Sequence, residues 1–243
     1  MPSLPTVGAG PSASAQSYAK KVLATNPIRY WPLWDTAGAA ATELVVGDNG
    51  TYVGPTLGGG VAPDGSPCPL FDGINDLVDI WSAALAAAFN GAAGTVAIWA
   101  QVFNAGTWAD AAFRHSMAVA ADGNNESRML KTNAANTPEY RYVAAGVIET
   151  VNQASASLIW MHHAITWSGP LLANEMRGYY NGVQAGLTQV ALGGWVGVPA
   201  ATWCNIGARR SAPWVAGWHG YLSHAIIYDR ALAPAEVLSL ATV

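Results

Sequence analysis

The side chains with the most binding chemistry crowd the last third of the chain. Trp195, Trp203, Trp214 and Trp218 stand there with Arg209, Arg210 and His219. Aromatic faces stack on sugar rings, and a guanidinium bonds sugar hydroxyls or charged groups. The same tryptophans are also what a β-rich core needs, so two uses compete for each. The segment 208–218, with Arg209, Arg210 and Pro213, is the expected exposed patch. Arg209, Arg210, Trp214, Trp218 and His219 are the candidate glycan-binding set.

Catalytic constellations are harder to find. Retaining glycoside hydrolysis needs two carboxyl groups about 5 Å apart, a spacing that positions i and i+2 of a strand supply. No E-x-D, D-x-E or E-x-E tripeptide occurs, and Asp76 and Asp79 would point to opposite strand faces. His162 and His163 are adjacent, so on a strand one is expected packed and the other solvated. His219 and His224 lie five positions apart with no acidic partner nearby in sequence. There is no G-x-S-x-G elbow, and Gly58-Gly59-Gly60 precedes neither a helix nor a Lys-Ser pair. The expectation is a non-enzyme.

The chain has 243 residues, of which 51% are hydrophobic and 11% charged, with a formal net charge of -4. Soluble domains carry roughly 25% charged residues, so charge is scarce here. With only 11 Lys and Arg there is no basic face for nucleic acid, and no basic run for an anionic membrane. Eleven Trp and nine Tyr, with many Val, Leu and Ile, exclude disorder throughout. Scarce charge fits either a polar-neutral surface or a surface covered by partner subunits. The first 17 residues lack a basic n-region and an apolar h-region, and no run offers about 20 strongly apolar residues. Neither a secretory signal nor a membrane span is expected. Cys68 and Cys204, one per half of the chain, make no zinc site alone. They read as buried thiols or as a single disulfide.

The elements that must position these residues are mostly short strands. Residues 28–34, 70–72, 77–81, 94–103, 116–121, 140–145, 157–167, 176–180, 202–206 and 220–228 are rich in Val, Ile, Trp and Tyr. They are punctuated by D-N-G, D-G-S, D-G-N and N-G turns. Helical patterns are limited to a turn at 19–24, to 82–89, and to 233–240, where Pro234 suits a first helical turn. Many strands with few helices predict an all-β sandwich or jelly roll. Residues 1–21, small and rich in Pro, Gly and Ser, read as an extended N-terminal arm, and 22–243 as one domain.

Several segments, read in order, resemble the laminin-G-like, or concanavalin A-like, jelly-roll family. Tyr30-Trp31-Pro32-Leu33-Trp34-Asp35 is similar to the family's opening strand, and Leu70-Phe71-Asp72-Gly73 with Asp76-Leu77-Val78 to its F-D-G-x-x-D-x-V hairpin. Gly94-Thr95-Val96-Ala97-Ile98-Trp99 resembles its F-T-V-E-A-W strand. Trp160, His162 and Ala164-Ile165-Thr166-Trp167 are similar to its W-x-H-V-A-x-T-W strand, with His163 where Val is usual. Tyr180-Asn181-Gly182 is one residue shorter than its Y-x-N-G hairpin, and Ile227-Tyr228-Asp229-Arg230-Ala231-Leu232 closes the match. The resemblance spans about 22–240 and implies a two-sheet antiparallel sandwich.

It also implies a structural calcium ion, for which Asp35, Asp72 and Asp76 have suitable oxygen chemistry. Against that, the closing G-x-I-D-E of relatives is here Gly220-Tyr221-Leu222-Ser223-His224, and the aspartates also suit turns. Two functions follow as expectations. The first is a non-enzymatic structural or adhesion protein on the surface of a large assembly, a phage or virus particle, its arm contacting neighbouring subunits of a homo-oligomer. The alternative is a lectin-like module that binds a cell-surface glycan, with calcium as its one candidate cofactor.

Overall fold

The computed structural model describes residues 12–131, 137–154, 157–209 and 217–243. The all-β expectation holds: two antiparallel sheets pack face to face. The first sheet runs β14 (Val183–Val190), β13 (Glu175–Tyr180), β12 (Met161–Ser168), β7 (Ala93–Val102), β16 (His219–Tyr228), β5 (Pro67–Asp72) and β4 (Thr56–Val61), and β1 (Arg29–Trp31) adds to β16. The second runs β11 (Val147–Asn152), β10 (Pro138–Ala144), β9 (Asn125–Lys131), β8 (Arg114–Asp122), β15 (Asn205–Ile206), β6 (Leu77–Asp79), β3 (Gly50–Val53) and β2 (Ala40–Ala41). Short helices α2 (Ala83–Ala88) and α3 (Ala105–Ala109) start on Ser82 and Asn104, whose side chains accept from Leu85 N and Thr107 N. Asn181 and Gly182, both at positive φ, make the tight turn that joins β13 to β14.

Alternation along the strands builds two apolar layers from one sheet. Val96, Ile98, Ala100 and Val102 of β7 face the second sheet, where they meet the core that contains Met117, Val119, Met129, Tyr140 and Tyr142. The intervening Ala97 and Trp99 face outward, yet they are buried too. Two helices cover them: α1 (Ala13–Leu23) and α4 (Pro234–Leu240). Tyr18, Ala19 and Val22 of α1 and Val237 and Leu240 of α4 join Tyr30, Ala164, Tyr179, Ile226 and Tyr228 in this second cluster. The Trp99 indole donates to the Tyr18 hydroxyl, which donates to Leu240 O, so strand, α1 and α4 are tied in series.

Helix α1 corrects the extended-arm reading over 13–21. Ala15, Tyr18, Ala19 and Val22 fall at i, i+3, i+4 and i+7 and are all buried. Ser12 caps the helix, and Lys20 and Lys21 occupy its last turn. Residues 1–11 of the expected arm lie outside the described residues. The same cover corrects the histidine expectation: His162 faces the helix layer, His163 faces the sandwich interior, and both are buried. Cys68 and Cys204 are separate buried thiols. Among the described residues no helix is long and apolar enough to cross a membrane.

Candidate functional site

With one outer face closed by helices, attention falls on the outer face of the second sheet. Period-two alternation turns Arg128 and Leu130 of β9 and Arg141 of β10 away from the core that Met129, Tyr140 and Tyr142 enter. The β9–β10 hairpin register sets Arg128 directly opposite Arg141. These three, with Phe113, His115 and Arg209, line a pocket of about 190 Å³. That volume suits one small ring rather than a drug-sized ligand.

The pocket wall is ionic. Arg128 Nη1 donates to Glu126 Oε1 at 2.9 Å, and Arg209 Nε donates to Glu126 Oε2 at 2.9 Å. Arg141 Nη2 pairs with Glu139 Oε1 at 2.6 Å. The Arg209 guanidinium lies over the Trp203 ring, 5.2 Å from its centroid. Burial lowers the Arg128 side chain to about 10; Glu126 works against that, and the charges of Arg141 and Arg209 add to it. Leu130 is buried at the pocket, and Phe113 stands exposed at its edge. Such a site offers donors in a fixed fork geometry, with an apolar edge for a ring face.

Among the described residues of the sequence-expected glycan set, Arg209 lines this pocket and Trp218 and His219 do not. Trp218 is 2% exposed, packs in the central core, and donates its indole N–H to Gln101 O, so it is corrected to a core residue. His219 does not line the pocket. Its ring stacks on Phe103 at 4.9 Å and its Nδ1 bonds the Thr107 hydroxyl at 3.1 Å. Burial and then the charge of Arg114 lower its pKa. Arg210 and Trp214 lie outside the described residues. The pocket residues that sequence reasoning missed carry a signal after all: Glu126-Ser127-Arg128 and Glu139-Tyr140-Arg141 repeat Glu-x-Arg, which on a strand puts both charges on one face.

The calcium candidates are not gathered into a ligand set. Asp35 accepts from Thr42 N, Thr42 Oγ1 and the Tyr52 hydroxyl, and so pins the segment before β3. Asp72 Oδ1 accepts from Ile74 N, and Asp76 Oδ2 from Asp72 N, which closes the β5–β6 turn on itself. Burial raises the Asp76 pKa, which disfavours the charged form a cation would need. Among the described residues no group of three or more His, Cys, Asp or Glu is placed to hold a metal ion. Chelation is accordingly expected to leave the melting temperature unchanged; a fall of several degrees on adding a calcium chelator would contradict this assignment.

A second polar constellation is closed to solvent. A bulge in β16 between Ser223 and Ile226 sets His224 at positive φ, and its Nε2 meets Asp64 Oδ2 at 3.1 Å. Its Nδ1 bonds the Tyr30 hydroxyl at 2.8 Å. Burial works to raise the Asp64 pKa, but the bond and charge of His224, with two bonds from Ser66, outweigh it and hold the carboxyl at about 2. His224 therefore does have an acidic partner, 160 positions upstream. Both side chains are at most 1% exposed, so the chain Asp64–His224–Tyr30 is a strut rather than a reaction centre.

Comparison with known proteins gives these features a context. The profile of the concanavalin A-like lectin/glucanases superfamily matches residues 72–238. The chain belongs to that superfamily. No curated protein matches it in sequence. Among solved structures, domain 4 of AbnA, a GH43 extracellular arabinanase from Geobacillus stearothermophilus in complex with arabinotriose, is 12% identical with a TM-score of 0.64. That match covers 89% of this chain and 98% of the domain. Trypanosoma rangeli sialidase in complex with sialic acid is 12% identical with a TM-score of 0.63 over 88% of this chain, which spans 32% of the sialidase. The CBM40 of Ruminococcus gnavus IT-sialidase is 16% identical, with a TM-score of 0.54 over 71% of this chain and 96% of the module. The three similar structures are a domain of an arabinanase, a sialidase and the CBM40 of a sialidase. They overturn the expectation of a structural role on a phage or virus particle, which rested on scarce charge and an extended arm, and they favour its carbohydrate-binding alternative.

Proposed function

We propose that the protein is a non-catalytic carbohydrate-binding module whose sugar site is the arginine-lined pocket on the outer face of the second sheet. The observation that carries this reading is the convergence of Arg128, Arg141 and Arg209 with Phe113 and Leu130 around one small concavity. Guanidinium forks bond sugar oxygens, and the apolar edge receives the C–H face of a ring. The fold supports the same reading, since the similar modules above share this sandwich.

The non-catalytic part rests on spacing. Glu126 and Glu139 are the carboxylates at the site, and each is bound by arginine. Glu126 pairs across the hairpin with Val143, four positions from Glu139. At roughly 3.4 Å per residue their backbones stand roughly 14 Å apart along the strands. Each carboxylate is moreover turned onto arginine, so neither is free to act as acid, base or nucleophile as glycosidase carboxyl groups about 5 to 9.5 Å apart must be.

The test is a glycan array followed by titration calorimetry with the best binder. Phe113→Ala is expected to weaken binding about fivefold to tenfold, the worth of one stacked aromatic, without moving the melting temperature. Binding that survives both Phe113→Ala and Arg209→Ala at full strength would place the sugar elsewhere.

A further inference from the structure

Resting on that reading, we infer that the sugar this pocket selects carries a carboxylate. The charge count leads there. Three guanidinium groups face two carboxylates, and the carboxylates are already engaged: Glu126 holds Arg128 with one oxygen and Arg209 with the other, while Glu139 holds Arg141. The pocket keeps one positive charge. It does so in a chain of net charge -4, and it draws three of that chain's 11 basic residues into a single small concavity.

Elsewhere three arginines stand one to a carboxylate, while Arg114 and Lys131 share Asp110 and complete their hydrogen bonds on backbone carbonyls. Arg29 pairs with Asp48, Arg177 with Glu175, and Arg230 with Glu236. Lys131 gives its ammonium to Asp110 Oδ1, Asp110 O and Ala112 O. Arg128 differs. Like Arg29 it is over nine-tenths buried with an Nε that has no hydrogen-bond partner among the described residues, but it alone of the two has Arg141 and Arg209 pressing positive charge upon it. A third carboxylate, supplied by the ligand, makes three anions for three guanidinium groups. It also repeats the pairing that the two glutamates already make, in the planar fork geometry that carboxylates share with arginine. A neutral sugar satisfies donors but leaves the charge. A phosphate monoester brings close to two negative charges at neutral pH and overshoots it.

Leu130 and Phe113 then receive the ring, and His115, the remaining titratable side chain of the lining, stands opposite Leu130 in the β8–β9 register. The expected signature is electrostatic. Affinity for an acidic sugar falls as salt rises and the Debye length shrinks from about 10 Å at 0.1 M to about 3 Å at 1 M. Affinity for its neutral counterpart stays flat.

The experiment uses the full chain and matched probes: sialyllactose against lactose, an oligogalacturonate against its carboxyl-reduced form, and sulfated lactose. The expected result is that at least one carboxylated probe binds tenfold or more tighter than its neutral partner. Arg209→Gln should erase that preference, while Glu139→Gln, which adds a positive charge, should sharpen it. The two variants push in opposite directions, so a general loss of folding cannot imitate the pattern. Equal binding of acidic and neutral partners at the pocket overturns the carboxylate inference and leaves the carbohydrate reading standing. A preference for sulfated lactose over both carboxylated probes overturns it as well. No binding to any probe or array glycan overturns both.

Discussion

Acidification from pH 6.5 to 4.5 is expected to remove about 5 kcal/mol of folding stability, read as a matching fall in the free energy of urea unfolding. Two histidines drive it. Burial, followed by the charges of His163, His224 and Lys21, pulls His162 down to about 3, and burial pulls His163 down to about 4. Both therefore stay neutral in the folded chain across this range. In the unfolded chain each takes up a proton near its ordinary value of about 6.5. A folded pKa below the unfolded one means that the unfolded state binds more protons as pH falls. The stability is whole above about pH 6.5 and drains away toward the folded values near 4 and 3. Each histidine loses about 1.4 kcal/mol per pH unit, so two of them over two units give about 5 kcal/mol. Native stabilities are about 5 to 15 kcal/mol, so the loss places the fold near its threshold. His162→Leu separates the contributions, because neither ring nitrogen of His162 has a hydrogen-bond partner among the described residues. That variant should lose only about half as much over the same interval. An acid loss as steep as that of the parent would show that His162 is not one of the titrating groups.

The burial of both histidines also shows where sequence reading reached its limit. Two adjacent residues on a strand do face opposite ways, and they do so here; what their types could not convey is that helices lie over the second face. The covering helix α1 was present as a pattern, since Ala15, Tyr18, Ala19 and Val22 follow the helical stripe, but small residues around them read as an arm. Strands fared better. The segment read as 94–103 forms β7 at Ala93–Val102, and Asn181-Gly182 forms its turn, because alternation and positive-φ residues are local properties. The pocket is not local. Arg128 and Arg141 become neighbours only through the register of the β9–β10 hairpin, and Arg209 arrives from a bridge far along the chain. Tryptophan type gave no help in choosing between uses, since Trp218 is sealed in the core while Trp203 lies beneath Arg209.

Replacing Asp64 by Ala is expected to destabilise the protein by about 3 to 5 kcal/mol, the cost of taking a charged acceptor away from several buried partners. Two losses combine at one point. His224, fully buried, forfeits the partner of its Nε2, and Ser66 forfeits an acceptor for both its N–H and its hydroxyl. For a chain of this length, 1 kcal/mol corresponds to roughly 2–4 °C, so the melting temperature should fall by about 10 °C. Asp64 Oδ2 holds the imidazole toward the helix layer, where the Tyr18 ring lies 4.6 Å from the His224 ring, edge-on. The Asp64 carbonyl receives the Ser14 hydroxyl of α1. The damage should therefore surface first at α1, as faster tryptic cleavage after Lys20 and Lys21 than elsewhere in the chain. The double variant Asp64→Leu with His224→Leu supplies the control. Exchanging both partners for apolar groups of similar size is often neutral, because neither is then left unpaired. A double variant restored to within about 1 kcal/mol of the parent marks the pair as a mutually dependent strut, with the coupling read directly from the cycle. If Asp64→Ala alone melts with the parent, the carboxylate does not hold His224, and the seam between α1 and β16 rests on the packing of Tyr18, Val22 and Tyr228 instead.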